Sequence, residues 1–562
     1  MPFVGSLEGA LGYGRGPNAA DNIMNVQWST YLPAMVSGAN PVSSYGITDS
    51  LGNTYLTGTY TSGGTAQVNI RNASGTSQIE SSYNLPGNSN NENVYLIKFN
   101  SSGQVLWATY FQTNRANTEA RKLVVDSNNN VYMTGIYQQA TTAIQLRDVN
   151  GTSTIVSNVT LPALNAPSGY LIKYDTNGVV QWATYIGIVN QVHRLVDLYI
   201  FSNFLYVVGT KNSSSVAGIT NLYSANGNTN APFQNITSIS LPNTGNQGFG
   251  LVLQYNLNGI AQWATVIPSS SIFGVSCNRF GHINVVGTYS STTSINLKAV
   301  DGNSQIDSGW TLQSTGASGT SGCFIIKYSD GGAIYWATIL KTNTTSGTTN
   351  INYSVDTDTQ GHIYITGTYA QNTDPINLFK ADFSTNGQTS STITLSNTST
   401  SGNMFLIKYD TFDGFPIWAL NLGTSSTTAV GYGLVINKIT NFIYIVGTYS
   451  TTAAITLNNA SGNSQISSTV GLPASTGRGF VMKYTLDGKV KCATYISNQS
   501  VTPYYISLFG NSLYISIDCG TFPSANKQLY NASANGQTLT SYVLLQISPT
   551  TTTCNGIVKY TG

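Results

Sequence analysis

Few side chains in this 562-residue chain have the types and spacing that catalysis or metal binding would require. It contains three histidines, His193, His282 and His362, and four glutamates. Acid–base catalysis or a zinc site needs such groups in convergent sets. His282 and His362 occupy equivalent places in a repeated Gly-His-Ile turn, which explains them without chemistry, and the sequence indicates no partner for His193. We therefore predict no catalytic, cofactor-binding or metal site, and no enzyme activity.

Aspartates lie mainly in two recurring turns. The first turn contains Asp49, Asp126, Asp356 and Asp358, and the second contains Asp175, Asp330, Asp410, Asp413 and Asp487. An aspartate in a turn accepts hydrogen bonds from backbone groups close by, so these positions predict turn stabilisation. The segment 356–361, DTDTQG, resembles half of a calcium loop, but its twelfth position is Gly367 instead of a bidentate glutamate. The five cysteines show no metal-ligand spacing and are predicted to be buried or incidental thiols.

The composition favours β structure and excludes several classes of protein. Charged residues make up 8% of the chain, against roughly 25% in an average soluble domain. Abundant Tyr and Thr suit pleated strands, whereas Gly and Asn suit the turns between them. No apolar run approaches the roughly 18 residues of a membrane span. A net charge of +2 without a basic cluster gives no electrostatic footprint for nucleic acid. We therefore expect a folded β protein that neither spans a membrane nor binds nucleic acid.

The dominant feature of the sequence is an internal repeat built from two phrases. The first is a predicted hairpin, in which a LIKY strand (named after 171–174) and a WATY strand (named after 182–185) flank a glycine turn. It occurs at 94–111, 170–186, 250–267, 323–340, 404–422 and 479–496. The second phrase is a TGTY strand (named after 57–60), found at 51–60, 128–137, 202–211, 280–289, 360–369, 440–449 and 510–520. With the VDS strand before it (named after 125–127), each unit holds four predicted strands.

The tryptophan of the WATY strand marks the period. It occurs as Trp28, Trp107, Trp182, Trp263, Trp336 and Trp418, with Cys492 in the seventh place, at steps of 73 to 82 residues. Four-stranded units repeated about seven times predict an all-β, seven-bladed β-propeller, with six or eight blades as alternatives. Trp and Thr of each WATY strand point to one face, and Ala and Tyr point to the other. We predict that the six tryptophans pack neighbouring blades together.

The two ends of the chain are predicted to share the closing blade. A WATY-like strand, VQWSTYL (26–32), has no LIKY partner before it, and the chain ends with YVLLQI (542–547) and NGIVKY (555–560). We interpret the two C-terminal segments as a last LIKY–WATY hairpin, which leaves Trp28 and Tyr560 competing for one position. The domain prediction is a Gly-rich N-terminal arm over 1–25 and a single propeller domain over 26–562.

A lysine recurs at one position of the LIKY strand. It is found as Lys98, Lys173, Lys327, Lys408 and Lys483, with Gln254 and Gln546 in the remaining units. In one interpretation the aliphatic stem packs on a neighbouring blade while the amine reaches solvent or a carbonyl. In the other, the amines form a ring of partner contacts around the propeller axis, a weakly basic funnel for an anionic partner or glycan.

The combined pattern, FLIKYD-x-x-G-x-V-x-WATYI followed by VDSxGNxYxTGTY, resembles the SBBP-type β-propeller repeat. That family occurs in secreted and surface proteins of microbes, and similar propellers are found among proteins of large DNA viruses. The resemblance covers nearly the whole chain from residue 26 and implies the propeller fold, but it brings no shared catalytic motif. The chain departs from the family in two ways: it shows no recognisable signal peptide, and every unit carries an extra polar segment.

These polar segments lie between the TGTY and LIKY strands. They occur at 68–86, 144–162, 295–313, 376–396 and 455–473, with divergent copies at 219–242 and 526–545. Apolar ends around a Gly- or Asn-containing centre predict a β-hairpin arm. Most connections between strands run about 4–6 residues, so a bare propeller does not need these arms. They either form a partner-binding surface or widen each blade and shield its outer edge.

These observations predict a non-enzymatic structural or interaction propeller on a particle or cell surface. The first hypothesis is a virion-associated decoration or docking protein, located on a virion or an extracellular surface, whose partners are other surface or capsid proteins or glycans. The alternatives are a glycan-binding attachment propeller and a secreted carbohydrate-active enzyme with carboxylates at an axial mouth.

Overall fold

The computed structural model describes most of the repeat region of the chain. The described residues are 23–34, 45–61, 67–74, 77–87, 91–115, 117–187, 191–213, 220–225, 237–241, 248–301, 304–316, 320–341, 350–369, 375–396, 402–422, 428–496, 501–518, 528–532, 538–543 and 553–561. They contain 42 β-strands, numbered β1–β42 in chain order, and no helix. It follows that no helix in the described part of the chain is long and apolar enough to cross a membrane.

Seven antiparallel blades of four strands form the ring, and the VDS strand is the innermost strand of each. In blades 2 and 4 the sheet continues outward into two further strands, which belong to the polar segment of the next blade. The inner strands are β2 Tyr45–Thr48, β8 Glu119–Val125, β14 His193–Phe201, β20 Ser270–Cys277, β26 Asn350–Thr357, β32 Thr428–Asn437 and β38 Thr502–Phe509. Each inner strand contacts the inner strands of both neighbouring blades, and β38 contacts β2. The ring is therefore closed, and the prediction of a seven-bladed propeller is confirmed.

The remaining blade strands follow outward in the order TGTY, LIKY, WATY. The TGTY strands are β3 Thr54–Tyr60, β9 Val131–Gln139, β15 Phe204–Lys211, β21 Ile283–Tyr289, β27 Ile363–Tyr369, β33 Phe442–Thr451 and β39 Ser512–Asp518. The LIKY strands are β6 Asn93–Phe99, β12 Leu164–Tyr174, β18 Phe249–Asn256, β24 Gly322–Tyr328, β30 Asn403–Tyr409, β36 Ser475–Thr485 and β42 Thr553–Thr561. The WATY strands are β7 Val105–Gln112, β13 Val180–Gly187, β19 Ala261–Pro268, β25 Ile334–Lys341, β31 Pro416–Asn421, β37 Val490–Tyr495 and, for blade 7, β1 Asn25–Ala34.

The middle strands of each blade are buried on both faces because neighbouring blades cover them. All seven residues of β3 and all seven of β6 are buried. Apolar side chains from adjacent blades join into continuous clusters, and the largest spans blades 3 to 5. This explains why the TGTY and LIKY strands have near-continuous apolar runs instead of the strict alternation of a half-exposed strand.

Both ends of the chain build blade 7, as predicted. The C-terminal strand β42 pairs with β39 on one side and with the N-terminal strand β1 on the other. The assignment of the C-terminal hairpin was wrong, however. The segment 555–560 is a LIKY strand, because Lys559 lies opposite Tyr514 just as Lys173 lies opposite Tyr132. The WATY position thus belongs to Trp28, which removes the surplus strand.

Other parts of the two predicted terminal segments lie elsewhere. Tyr542 and Val543 belong to an arm strand instead of the blade, and Gln546, to which we assigned the lysine position, lies outside the described residues. Most of the predicted N-terminal arm, residues 1–22, also lies outside them. Met24 and Asn25, which we placed in that arm, belong to the propeller: Met24 is buried and forms a bridge with Ala532, and β1 starts at Asn25.

Each polar segment forms a β-hairpin arm. The arms are β4–β5 (Val68–Ser74, Ser77–Leu85), β10–β11 (Ile144–Asn150, Ser153–Leu161), β16–β17 (Thr220–Tyr223, Thr237–Leu241), β22–β23 (Ile295–Asp301, Ser304–Leu312), β28–β29 (Ile376–Asp382, Gly387–Leu395), β34–β35 (Ile455–Ser461, Ser464–Leu472) and β40–β41 (Gln528–Asn531, Thr538–Val543). The first strand of each arm contacts the WATY strand of the preceding blade.

Hydrogen bonds tie the arms to two blades at once. The WATY threonine of one blade donates to a backbone carbonyl of the next blade's arm, as Thr109 Oγ1 does to Arg147 O at 2.8 Å. The same arm returns to its own blade, where Asp148 Oδ1 accepts from the backbone nitrogen of Val180 at 2.8 Å. The arms therefore cover the outer edges of the blades and strap neighbouring blades together. This arrangement favours the shielding alternative over a freely exposed binding surface.

The closing blade generates the first prediction. Deleting residues 553–562 removes β42 and leaves β1 and β39 without their shared partner, which exposes two strand edges. We expect the shortened chain to aggregate, as measured by light scattering and size-exclusion chromatography. A synthetic peptide of residues 553–562 added during refolding should restore part of the monomeric fraction. If the shortened chain stays monomeric with an unchanged melting temperature, the closure described here does not stabilise the ring.

Candidate functional site: the contacts between blades and the axial mouth

The recurring Lys and Trp belong to a row of three side chains that crosses each blade. In blade 1 the strand register aligns Tyr55, Lys98 and Trp107. The Lys98 amine lies 4.9 Å from the centroid of the Tyr55 ring, and the Tyr55 and Trp107 ring centroids are 5.8 Å apart. A cation over the negative face of an aromatic ring is attracted to it. The row therefore holds the lysine stem between two rings and directs the amine toward the next blade.

Lys and Trp of one blade donate to the same carbonyl oxygen of the next blade. Lys98 Nζ and Trp107 Nε1 both lie 3.1 Å from the Thr176 oxygen, which belongs to the turn between the LIKY and WATY strands of blade 2. We call this two-donor contact the latch. It recurs with Lys173 and Trp182 on Leu257, Gln254 and Trp263 on Asp330, Lys327 and Trp336 on Thr411, and Lys559 and Trp28 on Ser101.

Two blades depart from this pattern. In blade 5 Lys408 donates to the Leu486 oxygen at 3.3 Å, but the Trp418 Nε1 atom is buried without a hydrogen-bond partner. In blade 6 Cys492 replaces the tryptophan, and Lys483 packs over the Phe442 ring at 4.2 Å. All six WATY tryptophans nevertheless have at most 6% of their surface exposed.

The lysine ring does not face an open funnel. Lys98, Lys327 and Lys483 are 5%, 3% and 1% exposed, because their stems lie between blades. Burial lowers the pKa of Lys98, Lys173 and Lys408, and lowers that of Lys327 to about 8. The amines of Lys98, Lys173 and Lys327 serve as latch donors, and the buried lysine stems leave little surface for a partner. Of the two interpretations of these lysines, the geometry favours packing on the neighbouring blade.

The aspartate turns stabilise local backbone, as their positions predicted. Asp126 Oδ1 accepts from the backbone nitrogens of Asn128 and Asn130, both at 2.9 Å, and its Oδ2 accepts from the Tyr132 hydroxyl at 3.0 Å. Asp358 makes the same set of contacts and also lies 2.9 Å from Nδ1 of His362. Sequence reasoning missed this partner of His362, although it lies four residues earlier in the same turn. Among the described residues no group of three or more His, Cys, Asp or Glu side chains could hold a metal ion.

His193 is fully buried beneath the end of blade 3. Its Nε2 atom lies 2.9 Å from the Thr220 hydroxyl, and burial lowers the pKa of its ring to about 4. The neutral ring therefore acts as a packed hydrogen-bonding group at the base of the third arm.

Two adjoining cavities lie among the inner strands around the propeller axis, and we refer to them together as the channel. The first, of about 460 Å³, is lined by all seven inner strands, and the second, of about 370 Å³, opens at the ends where these strands begin. Lys122, Asp197, Ser354 and Tyr505 line both cavities and so mark the boundary between them. Lys122 Nζ lies 2.7 Å from Asp197 Oδ1 and 4.1 Å from the Tyr505 ring centroid. This cluster occupies the waist of the channel.

The second cavity, which we call the axial mouth, is built by β-bulges. The inner strands of blades 2 to 7 each carry one extra residue in their pairing with the TGTY strand. These residues are Arg121, Val196, Phe273, Tyr353, Tyr432 and Tyr504, and all six line the mouth. A bulge re-aims the side chain of its extra residue. The fold therefore brings one side chain from each of six blades to the same opening.

Four of these side chains form an aromatic arc: Phe273, Tyr353, Tyr432 and Tyr504. Their ring centroids are separated in turn by 5.8, 5.4 and 5.4 Å, so the rings of four consecutive blades are in contact. Each ring is half-buried, with part of its surface open to the cavity. The arc is a curved, partly apolar wall edged by three hydroxyls.

Blades 2 and 3 complete the mouth with an arginine pair, Arg121 and Arg194. Glu119 forms an ion pair with Arg121, and its second oxygen lies 3.9 Å from Nη1 of Arg194. Burial alone would lower the pKa of Arg121, but Tyr45 and Glu119 more than offset it, so the pKa is raised. The mouth can therefore hold an uncharged ring against the arc and an anionic group against the arginine pair.

Sequence reasoning did not find the axial mouth. The bulge residue differs from blade to blade, so it carries no repeat signal of the kind that revealed the latch. A usable signal is an aromatic residue in the first half of four of the VDS strands, in SIFGV (271–275), INYSV (351–355), VGYGL (430–434) and TPYYI (502–506). Aromatic residues there break the small-residue pattern of the neighbouring positions.

The latch generates a prediction with an internal control. Trp107→Phe keeps an aromatic ring but removes the N–H that donates to Thr176, whereas Trp418→Phe removes an N–H that has no partner. We expect Trp107→Phe to lower the free energy of unfolding by about 1 kcal/mol more than Trp418→Phe, as measured by urea denaturation. Equal losses in the two variants would show that the hydrogen bond contributes nothing beyond ring packing.

His193 generates a prediction on pH. Its pKa is about 4 in the folded chain and about 6.5 in an unfolded chain, so the unfolded state takes up a proton first as the pH falls. Wild-type stability should therefore fall between pH 6.5 and 4, by up to about 3 kcal/mol. His193→Gln should flatten this part of the curve of melting temperature against pH. At pH 8 the ring is neutral in both the folded and the unfolded chain, so the melting temperature of each protein at pH 8 is the reference for its own values at lower pH. An unchanged slope below pH 6.5 would refute the assignment.

One family model and two known proteins show similarity to this chain. The family model described as SBBP, Beta-propeller repeat, matches residues 106–135, which extend from a WATY strand into the TGTY strand of the next blade. An uncharacterised WD repeat-containing protein of Acanthamoeba polyphaga mimivirus is 26% identical over 215 residues, which is 35% of this chain and 14% of that protein. A solved quinohemoprotein alcohol dehydrogenase of Pseudomonas putida HK5 aligns with 11% identity and a TM-score of 0.34 over 96% of this chain and 76% of that chain.

The match spans 14% of the length of the mimivirus protein. The family match at 106–135 covers most of a WATY strand with its latch donor Trp107, the following VDS strand with Asp126 after it, and the first half of the next TGTY strand. The family match confirms the resemblance inferred from the sequence over residues 106–135, and the chain is a seven-bladed β-propeller with an SBBP-type repeat in that segment.

Proposed function

We propose that this chain is a non-enzymatic interaction propeller that is exposed on a virus particle and docks a partner through its axial mouth. The observation that carries the proposal is a contrast between two sets of side chains: those that recur in the repeat, and the aromatic rings that line the axial mouth. The repeated lysines, tryptophans and aspartates bond to the protein's own backbone. The aromatic arc instead leaves half-buried rings at an opening, and such exposed apolar surface is typical of a binding site.

The absence of enzyme activity is part of the proposal and rests on how the ionisable groups are engaged. Catalytic acids and bases need a free position toward a substrate. Asp197 is paired with Lys122 and also accepts from the backbone nitrogen of Val275 at 2.9 Å. Asp356 accepts from the backbone nitrogen of Ile436 at 2.9 Å and faces Lys438 at 3.8 Å. The carboxylates of the channel therefore act as cross-blade ties.

The viral location is supported by the comparison with the mimivirus protein, whose own role is uncharacterised. A closed ring with strapped outer edges also suits a particle surface. Each arm covers edges that would otherwise offer unpaired backbone groups to other chains. Only 8% of the residues are charged, so contacts with a partner would depend on shape, aromatic surface and hydrogen bonds more than on long-range charge.

The test is to locate the chain on particles produced by its source. We expect it to sediment with purified particles at a constant ratio to the capsid protein in quantitative mass spectrometry. Mild protease treatment of intact particles should remove it from that fraction, while capsid proteins inside the particle remain.

Recovery of the chain mainly in the soluble fraction of the infected cell would contradict the proposal, as would resistance to protease until the particle is opened. A matched pair of tagged chains then tests docking through the mouth. Tyr353→Ala should weaken attachment to particles that lack the native chain. Phe412→Ala, which removes an aromatic ring that is 80% exposed and outside the mouth, should not.

A further inference from the structure

The rings of the aromatic arc are partly exposed to solvent, unlike most aromatic rings between the blades. Elsewhere the tyrosines between blades are fully buried, as Tyr55, Tyr132 and Tyr364 show. In the mouth four rings, each in contact with the next, are only half-buried. Such rings attract flat ligand surfaces whose C–H groups carry partial positive charge, because the face of an aromatic ring is negative. The pyranose ring of a sugar has such a surface.

The charges of the mouth select against cations. Arg121, Arg194 and Lys122 contribute three positive charges, against Glu119 and Asp197 with two negative charges. Lys122 and Asp197 cancel each other at 2.7 Å, and Glu119 can balance one arginine. The described part of the mouth therefore has an excess of one positive charge, located on the arginine pair. An aromatic cage for a quaternary ammonium would lack this charge.

The geometry also favours a ligand with hydroxyl groups. The mouth contains the hydroxyls of Tyr353, Tyr432 and Tyr504, and Thr210 and Asn212 lie along its side on blade 3. Its volume of about 370 Å³ is at the small end of the range for ligand pockets, roughly 300–1,000 Å³. The opening thus suits one or two sugar rings better than an extended macromolecular surface.

We propose that the axial mouth binds a carboxylated sugar, with the pyranose ring against the aromatic arc and the carboxylate against the arginine pair. Arginine offers a planar set of donors that matches a carboxylate in two parallel hydrogen bonds. Glu119 and Tyr45 hold Arg121 in place. The Arg194 side chain is the more exposed of the two, at 34% against 25%, and its contact with Glu119 is longer, at 3.9 Å. This inference rests on the proposed binding role of the mouth but not on the proposed viral location.

The test uses the purified full chain and three pairs of an acidic and a neutral oligosaccharide. The pairs are digalacturonate with digalactose, a glucuronate-containing disaccharide with cellobiose, and sialyl-lactose with lactose. Binding is measured by isothermal titration calorimetry, with saturation-transfer NMR to identify the sugar protons near aromatic rings. We expect at least one acidic member to bind about tenfold or more tightly than its neutral partner.

Two variants assign the contacts. Arg194→Met should abolish the preference for the acidic member, and Tyr432→Ala should weaken both members about three- to tenfold. Arg279→Met is the matched control, because Arg279 lies over the Phe280 ring at the opposite end of its inner strand. It should bind like the wild type, and all three variants should keep the wild-type melting temperature.

Three results would overturn the inference. The first is that no acidic sugar binds more tightly than its neutral partner. The second is that Arg194→Met or Tyr432→Ala, with an unchanged melting temperature, binds like the wild type. The third is that a hexaglutamate peptide binds more tightly than every sugar and is displaced by none, which would assign the mouth to an acidic protein segment. Particle localisation is measured separately, so either proposal can fail without the other.

Discussion

The structure depends on a backbone carbonyl that, in five of the seven contacts between described blades, accepts two hydrogen bonds from the blade before it. A single hydrogen bond contributes about 0.5–1.5 kcal/mol net, but this oxygen would be costly to leave buried without partners. The indole N–H of the Trp and the amine of the Lys are both donors that need an acceptor once they are buried between blades. Thr176, with Lys98 and Trp107 as its donors, shows how these needs are met together. Each blade therefore requires a following blade in a fixed position, which makes the ring the stable unit.

The same constraint explains how the ring closes. The latch of blade 7 draws its lysine from one end of the chain and its tryptophan from the other, since Lys559 and Trp28 both donate to the Ser101 oxygen. Strands β42 and β1 must be paired before that contact can form. The arms add a second layer of cross-blade bonds outside the first. Because the WATY threonine donates to the next arm, as Thr265 does to Lys298 O at 3.0 Å, the polar segments are part of the ring.

Much of the fold could be predicted from the sequence because the bonds between blades repeat. Trp, Lys and Asp recur at one period, and each has the same neighbours in most units. What did not repeat could not be predicted in this way. The segment 555–560 resembled a WATY strand by its final tyrosine, but its register was decided by its pairing with β39. The arms were recognised as hairpins, yet contact with the preceding blade is a tertiary feature that local apolar ends cannot indicate. Asp358 escaped notice as the partner of His362 because turn formation already accounted for it.

The axial mouth differs from the latch in that its side chains change from blade to blade, whereas the latch side chains recur. A repeated side chain makes the same contact in most blades, so it has little freedom to bind a ligand. The bulge residue is left out of the strand pairing, which frees its identity to vary between Arg121, Val196 and Tyr353 without cost to the ladder. Variation at one repeated bulge produces an aromatic side and a basic side in a ring that is otherwise nearly symmetric. A ligand with an apolar face and an acidic group can then bind in one orientation. In this propeller the repeated side chains bind neighbouring blades to one another. A ligand-binding site is therefore expected at the β-bulge, which recurs in six blades while its side chain changes.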